Sequence, residues 1–260
     1  LAWIVYVVRY VVWLAGRLRR RFRTPPPYVS FMLEGPSPEV PDPPGPRWRR
    51  LLGRPQRSLY DFAEQLRIVM DDPRVRGVVL HLRAASYSPA QAETLAGLIG
   101  DLRAAGKRVV CWGSSYTTAT YRVACVADEI LIQPGGQVAN LGFGRRYLFL
   151  ADALDRAGVE ADMLQVSPYK TAADVLTRRE MSAEAREMAG WLADSHFDEL
   201  VAAIASGRRI EAVSARALVD GSPYTDLQAK QAGAVDDIVG EEALPARLGA
   251  EVRPFDGAGR

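Results

Sequence analysis

The residues of this sequence with the greatest chemical reach are its lysines. Of 33 Lys plus Arg, only Lys107, Lys170 and Lys230 are lysine. The sequence uses arginine wherever a positive charge is enough. Arginine keeps its proton in a protein, whereas a desolvated lysine can become a neutral amine near pH 7 and act as a base. A retained lysine is therefore a candidate for chemistry that arginine cannot do, although the bias alone does not choose among the three. Lys170 stands in SPYKTA, after an apolar run (Met163, Leu164, Val166) and before the small Ala172 and Ala173. The ordinary alternative is a solvated loop lysine, because lysines are almost never fully buried.

Other chemistries have weaker support. His81 lies in an apolar strand-like run and His196 in a helix-like run, so both read as packed or surface histidines. Cys111 and Cys125 give neither a disulfide framework nor metal-ligand spacing. A Ser-His-Asp triad, a metal site and a bound cofactor are not indicated. A net charge of +2 argues against a dedicated nucleic-acid binder. Hydrophobic residues at 48% and charged residues at 25% fit an ordinary packed globule.

These side chains need elements to place them. Residues 1–23 open with LAWIVYVVRYVVWLAG, apolar apart from Arg9, and continue as RLRRRFR. A segment of sixteen residues falls short of the roughly 20 needed to span a bilayer. With Trp3, Tyr6, Tyr10 and Trp13 beside the arginines, the segment reads as part of a membrane span or as an interfacial helix. A buried helix or strand is the alternative. The arginine run leans toward the cytoplasmic face, or toward anionic headgroups. Residues 24–57 form a Pro/Arg-rich linker with a first strand at 28–35 (YVSFMLEG).

From 58 to 250 the pattern becomes regular. Helical spacing runs over 58–72, 88–107, 117–127, 147–158, 182–206 and 212–219. Strand-like runs occupy 75–83, 108–114, 128–133 and 160–166, the last ending at SPYK, and 134–144 is turn-rich. Alternation of this kind places the core in the α/β class with a largely parallel sheet flanked by helices.

Several blocks carry a family resemblance in order. They are LYDFAEQLRIVMDDPRVRGVVLHLR, LRAAGKRVVCWG, YRVACVADEILIQPGGQVANLGF and DALDRAGVEADMLQVSPYKTAADVLTRREMSAEAREM. From about 28 to 245 the chain resembles a half of signal peptide peptidase A (protease IV). That resemblance implies repeated β-β-α units of the ClpP/crotonase-like fold. The SPYKTA turn, followed by LTRREMSAEARE, resembles the lysine block of the double-length members. It implies that Lys170 is the general base of a Ser/Lys dyad, while Lys107 and Lys230 match no catalytic position and read as surface charges.

The family nucleophile stands ten residues before the aspartate of an A-A-D-x-I-like run. Counting back from Asp128 gives Thr118, in TATYR, where the family has S-G-G-Y-Y. Both glycines are absent, and the threonine methyl crowds an attack. The loop RAASYSPAQ (83–91) also lacks the glycine that usually supplies an oxyanion N–H. Ser114 and Ser115 lie nearby but out of register. This pattern resembles the N-terminal, lysine-bearing half, whose serine comes from a second half-domain in the same polypeptide or in another chain. The resemblance further implies a hydrophobic peptide substrate such as a cleaved signal peptide, membrane association and homo-oligomeric rings. Two other readings stay open: a catalytically silent scaffold or oligomerisation domain of the same fold, and a crotonase-type acyl-CoA enzyme.

Overall fold

The computed structural model describes residues 26–35, 38–41, 58–83 and 87–255. The apolar segment 1–16, the arginine run 17–23 and most of the 24–57 linker lie outside the described residues. Among the described residues no helix is long and apolar enough to cross a membrane.

The fold is α/β with a largely parallel sheet. Its strands are β1 (Tyr28–Glu34), β2 (Gly77–Arg83), β3 (Arg108–Tyr116), β4 (Glu129–Val138), β5 (Tyr224–Thr225), β6 (Asp237–Ile238) and β7 (Val252–Pro254). Their order is β5-β4-β3-β2-β1-β7, with β6 also on β4, and every pairing except β4–β5 is parallel. A parallel sheet needs crossover helices, and these bury it on both faces. The continuous burial of Gly77–Leu82 in β2 follows from that.

The crossovers are α1 (Leu59–Asp71), α2 (Pro89–Ala104) and α3 (Thr118–Ala124). α1 buries Leu59, Phe62, Leu66 and Val69, and α2 buries Ala92, Leu95, Ile99 and Leu102. Both are 3–4–3 stripes, as an amphipathic helix against a sheet requires. Ser58 and Ser88 cap the two starts, and Ser88 forms a reciprocal capping box with Gln91.

The chain divides into two compact units, Leu1–Asn140 with Gly221–Arg260, and Leu141–Asp220. The first holds the sheet. Its C-terminal part contributes α8 (Asp226–Gln231) and α9 (Leu244–Leu248). Leu244 of α9 packs with Tyr28, Val79, Val110, Trp112 and Leu131 in one core cluster. The second unit is helical, with α4 (Ala151–Ala157), α5 (Asp174–Thr177), α6 (Ala183–Arg208) and α7 (Ala212–Asp220).

Three expectations need correction. Residues 134–138 are not a turn but the continuation of β4, past an irregularity between Gly113 and Ser115 in its pairing with β3. Gly136 makes this possible, because a Cβ there would lie 2.6 Å from the Ser114 carbonyl oxygen. Residues 160–166 are not a strand. They are irregular and mostly exposed, and with Glu160, Asp162 and Gln165 the segment has no continuous apolar face to bury in a sheet. Lys107 is not a surface charge. It is buried, and its Nζ donates to the carbonyls of Asp72 (2.6 Å) and Val75 (2.8 Å). Asp72 is the C-cap of α1 and Val75 lies in the turn before β2, so the ammonium ties the end of the helix to the start of the strand while meeting the negative end of the helix dipole. Lys107→Met is expected to destabilise the fold by about 2 kcal/mol in a denaturant titration, since hydrogen bonds to charged groups are worth about 1.5–3 kcal/mol. An unchanged midpoint would show the pair of contacts to be idle.

His81 is packed, as expected, with its ring 5.4 Å from Trp112 and its Nδ1 3.4 Å from Glu241 Oε1. Burial lowers its pKa below the ordinary 6.5, against the attraction of Glu241 and with a smaller push from Arg83. The unfolded chain therefore takes up this proton first as pH falls. His81 leaves stability untouched above the ordinary histidine range and subtracts from it from pH 6.5 down to the folded value. The expected slope is at most about 1.4 kcal/mol per pH unit. His81→Phe should flatten it when denaturation midpoints are compared at neutral and mildly acidic pH.

Candidate functional site

Thr118, the residue expected at the nucleophile position, lies in the first unit. β3 ends at Tyr116, Thr117 caps α3, and Thr118 is the first helical residue. Thr117 and Thr120 close a reciprocal capping box, which fixes the strand-to-helix turn. Tyr121 and Tyr116 are fully buried and donate to the carbonyls of Ala234 (2.8 Å) and Leu131 (2.7 Å), anchoring the helix and the strand end. Thr118 is half-buried, and its hydroxyl donates to the Asn140 carbonyl at 3.3 Å. Ser114 and Ser115 are inside β3, before the turn.

Asp128, from which the ten-residue spacing is counted, has a structural task. It accepts from the Val109 N–H (2.8 Å) and from Arg103 Nε (2.8 Å), joining the ends of α2 and β3. The spacing is thus the length of α3 with its flanking turns. Of the loop 83–91, residues 84–86 lie outside the described residues.

Lys170 lies in the second unit. Its N–H donates to the Ser167 carbonyl (3.0 Å), closing a turn that the Gln165 amide braces through the carbonyls of Ser167 (2.9 Å) and Pro168 (3.0 Å). A 3-10 turn (Thr171–Ala173) follows and leads into α5. Lys170 is exposed, as are Met163, Leu164, Val166 and Tyr169 before it, so the apolar surroundings expected from the sequence are present but uncovered. Among the described residues no carboxylate forms an ion pair with Lys170.

Three residues that the sequence did not single out hold this turn. Asp174 is buried, and its carboxylate accepts from Ser182 Oγ (2.5 Å) and from the Ser182 N–H (3.4 Å), with Arg178 Nε at 3.3 Å. Ser182 caps α6, accepting from the Ala185 N–H (3.2 Å). Tyr169 donates to Glu187 Oε2 (3.0 Å) on the same helix, and that carboxylate raises the phenol pKa. Their only trace in the sequence is that Asp174 and Ser182 fall inside the lysine block. A cleft of about 300 Å³ opens beside the turn, lined among others by Ser167, Arg178 and Glu184. Among the described residues no group of His, Cys, Asp and Glu could hold a metal ion.

With this geometry in place, comparison with known proteins is informative. The family model described as "Peptidase family S49" matches residues 101–253, which include both Thr118 and Lys170. The chain is 28% identical over 205 residues to Protease 4 of Haemophilus influenzae, covering 74% of this chain and 33% of that protein. It is 26% identical over 200 residues to the chloroplastic serine protease SPPA of Arabidopsis thaliana, covering 75% and 29%. The chain thus spans about a third of the length of the curated relatives it matches. A mutant of the membrane-bound stomatin-specific protease 1510-N overlays on 85% of this chain and 83% of its own, with a TM-score of 0.49 and 11% identity.

Proposed function

The chain belongs to peptidase family S49, and from that premise we propose that it supplies the lysine general base of a Ser/Lys peptidase whose nucleophilic serine comes from a second half-domain. One observation carries this reading. The lysine block around Lys170 is intact, whereas the nucleophile position holds Thr118 with no glycine beside it. The serine-bearing half resides in the same polypeptide or in another chain.

The chemistry follows from the groups. A neutral Lys170 amine takes the serine proton as the hydroxyl attacks a peptide carbonyl. The resulting ammonium then delivers that proton to the leaving amine. A neutral amine requires desolvation, and Lys170 is exposed here. The partner half would cover the turn, excluding water from the base while presenting the serine. Substrates on this reading are hydrophobic peptides such as cleaved signal peptides, met at a membrane that residues 1–23 hold nearby. Ring-like homo-oligomers would enclose the composite site.

A scaffold is the second reading, favoured by the threonine at 118 and the glycine-free loop 83–91. The two separate in one assay with a hydrophobic fluorogenic peptide. Residues 1–260 alone are expected to be inactive, and assembly with a serine-bearing half is expected to produce hydrolysis. Turnover by residues 1–260 alone that Thr118→Ala removes would overturn the proposal. Assembly without turnover would favour the scaffold.

A further inference from the structure

We infer that Asp174 is a positioning residue for Lys170, acting through Ser182, an inference that rests on the reading of Lys170 as the base. The residues around the turn are mostly solvated: 162–166 and 168–170 are all exposed. Between residues 162 and 182 the buried polar groups are Asp174, 4% exposed, and Ser182, 6% exposed. A buried carboxylate with no donors would be costly, so the pair holds together firmly.

The pair also lies where it can act on the lysine. One 3-10 turn separates Lys170 from Asp174, and the Asp174 N–H donates back to the Thr171 carbonyl, leaving little slack between them. The other end of the tether is the N-cap of α6, a helix of 26 residues and the longest rigid element in this unit. On the far side of Lys170, Tyr169 reaches Glu187 on the same helix. Lys170 is therefore held between two anchors to the first turns of α6, one buried and one exposed. The exposed bond competes with water, so the buried one sets the position.

Capping of α6 does not explain Asp174. Ser182 Oγ accepts from the Ala185 N–H without any help from the carboxylate. The additional bonds from Ser182 Oγ and N–H to Asp174 join two separate segments, and the segment so fixed is the one that carries the base. A displacement of about 1 Å in a catalytic group can lower a rate about 10²-fold.

The test uses the complete serine-bearing enzyme and a hydrophobic fluorogenic peptide, with kcat normalised to folded protein. Asp174→Asn and Ser182→Ala are expected to lower kcat by about 10–100-fold and to leave KM within about twofold. Ser182→Thr keeps the hydroxyl and should recover most of the loss. A kcat within twofold of the parent in both Asp174→Asn and Ser182→Ala, while Lys170→Ala is inactive, would overturn the positioning role and spare the base. Full activity in Lys170→Ala would instead remove the base itself and the inference with it. Should Asp174→Asn fail to fold, the Ser182 pair decides: equal activity in Ser182→Ala and Ser182→Thr counts against the role.

Discussion

Replacing Lys170 by alanine in the complete, serine-bearing enzyme is expected to lower kcat by about 10³–10⁴-fold while KM moves only a few-fold. General-base catalysis by a placed side chain contributes about 10²–10⁴-fold, and members of a catalytic pair fail together, which puts the loss at the upper end. Lys170→Arg should be as inactive as Lys170→Ala. A guanidinium preserves the charge but cannot give up its proton, so this variant separates a base from a positive charge that merely orients substrate. The measurement is steady-state hydrolysis of a hydrophobic peptide by each variant. Parent-like turnover in Lys170→Ala, or rescue by arginine, would be incompatible with a base at this position.

The second large effect is on stability. Gly77 begins β2 and is paired with Tyr28 on one side and Arg108 on the other. A Cβ at Gly77 would lie 2.3 Å from the Arg108 carbonyl oxygen and 2.6 Å from Tyr28 Cε1. The first obstacle is backbone of a neighbouring strand, which cannot move aside without disturbing the ladder. Gly77→Ala is therefore expected to destabilise the fold by about 3 kcal/mol, the upper end for overpacking. That corresponds to a fall in melting temperature of about 6–12 °C for a protein of this size. Gly97 on α2 is the internal control. Nothing lies within 4 Å of its added Cβ, and alanine in a helix interior should stabilise slightly. Equal melting temperatures for the two variants would refute the steric account.

How much of this was legible in advance depends on the range of the interactions involved. The stripes of α1 and α2 follow from apolar spacing, and the observed elements agree closely with the expected ones. The first strand at 28–35 and the apolar runs that became β2 and β3 were equally readable, because a buried parallel strand is apolar throughout. The run 160–166 carries Met163, Leu164 and Val166 among polar residues and forms no strand. The extension of β4 through Pro134–Val138 is a second case, since turn-forming residues were absorbed into a strand irregularity.

The same division runs through the candidate site and returns to the lysines. The sequence by itself determined that arginine serves wherever charge suffices, that three lysines remain, and that one stands in a block resembling the lysine block of a peptidase family. It also led to the expectation that Thr118, without neighbouring glycines, stands where the family has its nucleophile. Tertiary structure alone decided what each lysine does with its ammonium. Lys107 is buried against the carbonyls of Asp72 and Val75, Lys230 pairs with Asp237 at 2.6 Å, and Lys170 is left exposed on a turn anchored through Asp174 and Ser182. A side chain's chemistry is written in its residue type, but its burial and partners come from segments distant along the chain.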